Sequence, residues 1–231
     1  MAVFPRFRKL FQRPTTVSRV GVRRPTSGAP AGDEPREDRL RARLTADPND
    51  VEAFRELADL VRRRADGPHP AEDPLTPAED VETVEEERAR RGDLAVWALA
   101  EELAGHPRAW YPLVELARLS VAEDHEQAVR RLVTAHERDA SGTALAHGLG
   151  VLRDAERPHE ALSLGTGHWR AREHDLEVGR NLVLAALEAG RPDEAERHLA
   201  ALDLHPDAAG AARLRAELRA QLDSATDHTT A

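Results

Sequence analysis

Eleven histidines in a chain of 231 residues raise the question of metal or acid–base chemistry. Their spacing argues against it. His125-Glu126 opens like a zinc-binding helix, yet Val129 stands where the second ligand would fall one turn later. His168 and His174 are six residues apart, which puts them on different faces of a helix. Gly148-Leu149-Gly150 and Gly165-Thr166-Gly167 look like phosphate loops only in isolation. No lysine follows them, no strand precedes them, and both fall inside helical patterns. There is no cysteine, so thiolate ligands and disulfides are absent and a reducing, cytoplasmic setting is expected. No serine, histidine and acid grouping stands out. These patterns predict no catalytic residue, no metal and no cofactor, so the chain is expected not to be an enzyme.

What remains is the chemistry of recognition. Arg180 and Asn181 are adjacent. An amide can donate to and accept from an extended peptide backbone at once, and a guanidinium can fork onto a carboxylate. That use requires a helix to aim both side chains at one open face. The plain alternative is solvated helix surface.

A repeat supplies such helices. Arg157-Pro158-His159-Glu160-Ala161 returns 34 residues later as Arg191-Pro192-Asp193-Glu194-Ala195, with one substitution. Ahead of each copy lies a largely apolar set at i, i+3, i+4, i+7, namely Leu145, Gly148, Leu149, Leu152 and Gly179, Leu182, Val183, Ala186. Trp110, Leu113, Val114, Ala117 and Phe54, Leu57, Ala58, Val61 obey the same spacing, so each set shares one helix stripe. Second helices follow with contacts at i+4 and i+7. They are Val96, Ala100, Leu103; Ala128, Leu132, Ala135; Ala161, Gly165, His168; and Ala195, Leu199, Leu202. Pro107 and Pro206 end helix pairs, because proline has no N–H and disfavours helix for the residue before it.

Trp110, Leu113, Ala128, Ala161, Ala195, Pro107 and Pro206, with the 34-residue period, make residues 47–206 resemble the tetratricopeptide repeat family. The resemblance implies an all-α, right-handed superhelix (an α-solenoid) of about four antiparallel helix pairs, each stacked on its neighbours. It further implies that the first helix of each pair lines a concave groove that takes a peptide or protein partner. Residues flanking each stripe would then face the groove: Arg55, Glu56, Asp59 and Arg62; Arg108, Tyr111, Glu115 and Arg118; His147 and Arg153; and Arg180, Asn181 and Leu184. A reader of acidic chaperone tails is a narrower version, against which Asp59 and Glu115 would act by repulsion.

Charge divides the chain further. The net charge is -9, but residues 1–32 carry seven basic residues and no acid, which leaves -16 for the rest. An acidic body would repel nucleic acid, so no specific nucleic-acid partner is expected. Residues 1–36, rich in proline, read as a disordered basic tail. Within it Phe4, Phe7 and Phe11 would share one helix face among Arg6, Arg8 and Lys9. That segment could dock weakly on an anionic membrane surface, on a partner, or on the acidic body of the chain itself. It lacks the apolar core of a secretory signal, although its arginine-rich, acid-poor make-up also suits an organellar transit peptide. Residues 37–222 form the expected repeat domain. Residues 37–46 cap it, 207–222 close it, and 223–231 are a polar, disordered tail. Four prolines between Gly67 and Pro77 open an insertion over 66–91, whose second part, Ala78 to Arg91, is expected as a solvated, partly formed helix extending toward Leu94-Ala95-Val96-Trp97. Besides a groove-binding scaffold, two alternatives stay open: a membrane-surface adaptor recruited by Phe4–Phe11, and a regulatory domain serving a separate catalytic or DNA-binding protein.

Overall fold

The computed structural model describes residues 33–66 and 81–229. The basic tail with Phe4, Phe7 and Phe11, and the proline-rich part of the insertion, lie outside the described residues. Those described are all-helical, with ten α-helices and no strand among them. In order they are α1 (Glu34–Ala46), α2 (Val51–Ala65), α3 (Val81–Ala104), α4 (Tyr111–Ser120), α5 (His125–Glu137), α6 (Thr143–Asp154), α7 (Pro158–His168), α8 (Leu176–Glu188), α9 (Pro192–Ala201) and α10 (Ala208–Thr229). A 3-10 turn, Leu202–Leu204, follows α9. Among the described residues no helix is long and apolar enough to cross a membrane.

Short local signals start and stop these helices. Asp50, Asp124 and Asp175 accept hydrogen bonds from backbone amides of the first turns of α2, α5 and α8. Pro158 and Pro192 occupy the first position of α7 and α9, where a missing N–H costs nothing. The charged run expected after Ala78 continues through Leu94, α3 being unbroken from Val81 to Ala104. One boundary differs from the sequence reading. The closing helix runs on to Thr229, there being no proline or glycine after Gly210 to end it.

Each helix packs on its chain neighbour, and α4, α6 and α8 also pack on the next helix but one. Thus α4 meets α5 and α6, α6 meets α7 and α8, and α8 meets α9 and α10. The seam between them holds the expected stripes. Phe54, Leu57, Ala58, Val114, Ala117, Leu145, Leu149, Leu152, Leu182, Val183 and Ala186 are all buried, each large aliphatic side chain stabilising the fold by roughly 1.5–3 kcal/mol. From the second helices Val96, Ala100, Ala128, Leu132, Ala135, Ala161, Ala195, Leu199 and Leu202 join them. Gly165 marks a close approach. A Cβ there would lie 2.5 Å from Leu182 Cδ2 and 3.2 Å from Leu149 Cδ1, so the missing side chain is the space those two leucines occupy.

The turns between pairs are tied together along one edge. Asn49, in the α1–α2 turn, donates through Nδ2 to the carbonyl of Arg108 at 2.8 Å. Its Oδ1 accepts from the amides of Trp110 at 2.7 Å and Tyr111 at 3.1 Å. Those amides begin α4, whose own cap residue, Trp110, gives no side-chain hydrogen bond. Asn49 is therefore an N-cap delivered from another repeat. Next along, Arg138 Nη1 donates to the carbonyls of Ala104, His106 and Ala109, and the amide of Asp175 donates to the carbonyl of Ser141 at 2.8 Å.

Candidate functional site

Residues of α2, α3, α4 and α6 line an open hollow of about 420 Å³. Its floor is apolar, made of Phe54, Ala58 and Val96. Its rim carries Arg55, Asp59 and Arg62 from α2, Glu115 and Arg118 from α4, and Asp154 from the end of α6. Helical spacing explains the rim. Arg55, Asp59 and Arg62 follow one another at four and three residues, one turn apart, just beside the buried stripe.

The rim charges are paired, but loosely. Arg118 lies 3.6 Å from Glu115 and 3.5 Å from Asp154, while Arg62 lies 3.8 Å from Asp59 and 3.6 Å from Asp93. All exceed normal hydrogen-bond length, and Arg62 and Arg118 are well exposed to solvent. Such pairs are worth about 0–1 kcal/mol each, so an incoming charged group could replace one partner at small cost.

Beneath the rim an aromatic stack joins α2, α4 and α6. Tyr111 is fully buried. Its ring meets Phe54 edge-on at 5.3 Å and His147 at 5.7 Å, and His147 lies 5.5 Å from Trp110. Arg55 Nε donates to the Tyr111 hydroxyl at 3.2 Å. Burial first, then the Glu115 carboxylate, pushes the Tyr111 hydroxyl up to about 12. Burial likewise lowers the pKa of His147, helped by the nearby positive charges of Arg55 and Arg118.

The remaining residues expected at the groove are engaged elsewhere. Arg153 forks onto Glu188 at 3.0 and 2.6 Å and also donates to Asn181 Oδ1 at 2.7 Å. Asn181, expected to face a peptide, is instead buried at 8% exposure. Its Nδ2 donates to the carbonyls of Ala146 at 3.3 Å and Glu177 at 3.0 Å. Both N–H donors of that amide, and one of the two acceptor positions on its oxygen, are thus taken up within the chain. Arg180 binds Glu177 at 3.1 Å and Glu217 of α10 at 3.0 Å. Leu184 is half-buried and packs against the core, and Arg108 is exposed at the α3–α4 turn.

Asp154, Val96 and the floor residues were not anticipated as lining residues. A signal for Asp154 exists, since Arg118–Asp154 is echoed one repeat later by Arg153–Glu188. Among the described residues no group of three or more histidines, aspartates or glutamates is placed to hold a metal ion. No protein-family model, curated protein or solved structure matches the chain.

Proposed function

We propose that the chain is a non-catalytic interaction scaffold of the tetratricopeptide type, acting in the cytoplasm and gripping a peptide or protein partner in the hollow between α2, α4 and α6. In this reading the helices form a right-handed superhelix of about four antiparallel pairs, and α2, α4, α6 and α8 line its concave side. Support for the superhelix comes from the packing of each of α4, α6 and α8 on the second helix after it.

The observation that carries the functional reading is the contrast along that side. At α8 the guanidinium and amide groups are committed to tight internal bonds, as Arg153–Glu188 and Arg180–Glu217 show. At α2 and α4 the charges are loosely paired above an apolar floor. A partner offering one apolar side chain flanked by charge would bury the first and re-pair with Arg62 or Arg118.

The test is capture from native cell extract on the full-length chain, followed by calorimetric titration of the partner obtained. Charge reversal by Arg62→Glu with Arg118→Glu is expected to weaken binding by about tenfold or more while far-ultraviolet circular dichroism stays unchanged. Unaltered affinity would remove the hollow as the binding site.

A further inference from the structure

Three imidazoles scattered in sequence meet in space where the C-terminal ends of α5 and α7 face the segment leading into α8. The ring of His136 lies 4.8 Å from that of His168 and 5.7 Å from that of His174. His174 is buried, 3% exposed, and its Nδ1 accepts a hydrogen bond from the backbone amide of Arg170 at 3.3 Å. It also presses on Gly142, where a Cβ would fall 2.6 Å from its own. The Nδ1 of His136 is buried with no hydrogen-bond partner among the described residues. A proton added there would create a buried cationic N–H with no acceptor.

We propose that His136 and His174, with His168 packed against them, form a pH-sensitive latch that holds the end of α7 and the start of α8 against the end of α5 while His136 and His174 are neutral and releases them once those two are protonated. Two opposing influences meet at this junction. The negative ends of α5 and α7 and the carboxylate of Asp139 favour imidazolium. Burial, the like charge of neighbouring imidazoles and the Arg170 guanidinium oppose it. The groups acting on His136 are His168, His174, Asp139 and Arg170. Those acting on His174 are Arg170, Glu173, Asp139 and His168. Burial, the largest contribution, decides the outcome, and both His136 and His174 are held below the ordinary histidine range.

The sign follows from proton uptake. Released, these histidines regain a pKa near 6.5, so below that pH the open form binds more protons than the closed one. Closure is at full strength above about pH 6.5 and weakens as the pH falls. Each extra proton raises the open-to-closed ratio by up to about tenfold per pH unit.

Hydrogen exchange by mass spectrometry on the full-length chain, corrected for intrinsic rates, tests this at pH 7.5 and 5.5. The wild type is compared with His136→Leu/His174→Asn, in which asparagine Oδ1 replaces the acceptor for Arg170. Expected is an acceleration of about tenfold or more over residues 158–188 in the wild type at the lower pH. Residues 51–65 should change far less, and the double variant should lose the acceleration. No acceleration in the wild type, or the same acceleration in the variant, overturns the latch. If the double variant fails to fold by circular dichroism at pH 7.5, the half-buried His168→Gln takes its place. It must reduce the acceleration, and an unchanged response rejects the proposal.

Discussion

Glu156 and Gly190 occupy the same left-handed backbone position one repeat apart, at φ 58° and 69°. After each, the next amide closes the preceding helix with a long-range bond, Arg157 to the Leu152 carbonyl and Arg191 to the Ala186 carbonyl, both at 2.8 Å. Each arginine then pairs with a glutamate three residues on, Glu160 and Glu194, at 3.4 and 3.1 Å. The turns are one structure written twice, except that one copy places a side chain where glycine is at ease.

That difference sets a stability prediction. A non-glycine residue in the left-handed region costs about 1–2 kcal/mol, part of which glycine returns through a freer unfolded chain. Glu156→Gly should therefore raise stability by about 0.5–1 kcal/mol, and Gly190→Glu should lower it by a similar amount. Urea midpoints measured at constant m-value give both, and a loss on Glu156→Gly would show that its side chain contributes more than its backbone costs.

Asn49 links two repeats through three hydrogen bonds. Asn49→Ala leaves two amides at the start of α4 without that acceptor and should cost about 1–3 kcal/mol. Asn49→Asp keeps the acceptor and loses only the donor, so its melting temperature should fall by distinctly less. Equal losses would mean that the bond to the Arg108 carbonyl carries the link.

At Gly165 the direction is set by space. Gly165→Ala drives a methyl into Leu182 and should destabilise by about 1–3 kcal/mol. Leu182→Ala opens a cavity when made alone. Combined with Gly165→Ala it should cost less than the two separate losses together. Strict additivity in chemical unfolding would contradict the contact.

Tyr111 predicts alkaline behaviour. With its folded pKa raised to about 12 from an ordinary value near 10, the folded state holds that proton more tightly. Its contribution is complete below pH 10 and is lost as pH climbs from 10 toward 12. Tyr111→Phe should cost about 1 kcal/mol at neutral pH and flatten the alkaline decline. A decline of unchanged steepness would assign it to other groups.

What could be read from the sequence was whatever is encoded locally. The turns after Glu156 and Gly190 are specified by a few adjacent residues, and the stripe of Leu145, Leu149 and Leu152 by helical spacing alone. Asn181 was legible as an amide beside an apolar stripe. Its burial was not, because Arg153 and the Ala146 carbonyl reach it from the preceding repeat. Gly165 falls at a contact position by spacing alone, but the leucines that fill its space, Leu149 and Leu182, come from other helices. The histidines looked unrelated for the same reason: His136 meets His168 and His174 only through the packing of separate elements. Asn49 gives no local sign of its role, which is played at the start of α4.

The turn ladder joins neutral main-chain amides and carbonyls to the Asn49 amide, to the Arg138 guanidinium and, at Ser141 and Asp175, to each other, bonds that dissolved ions disturb less than pairs of exposed charges. Other links between helices are ion pairs, a loose and exposed one at Arg118–Asp154 and a closer, partly buried one at Arg153–Glu188. Raising electrolyte to molar strength shortens the screening length to about 3 Å, so it should weaken the exposed Arg118–Asp154 link most and leave the buried seam and the Asn49 cap in place.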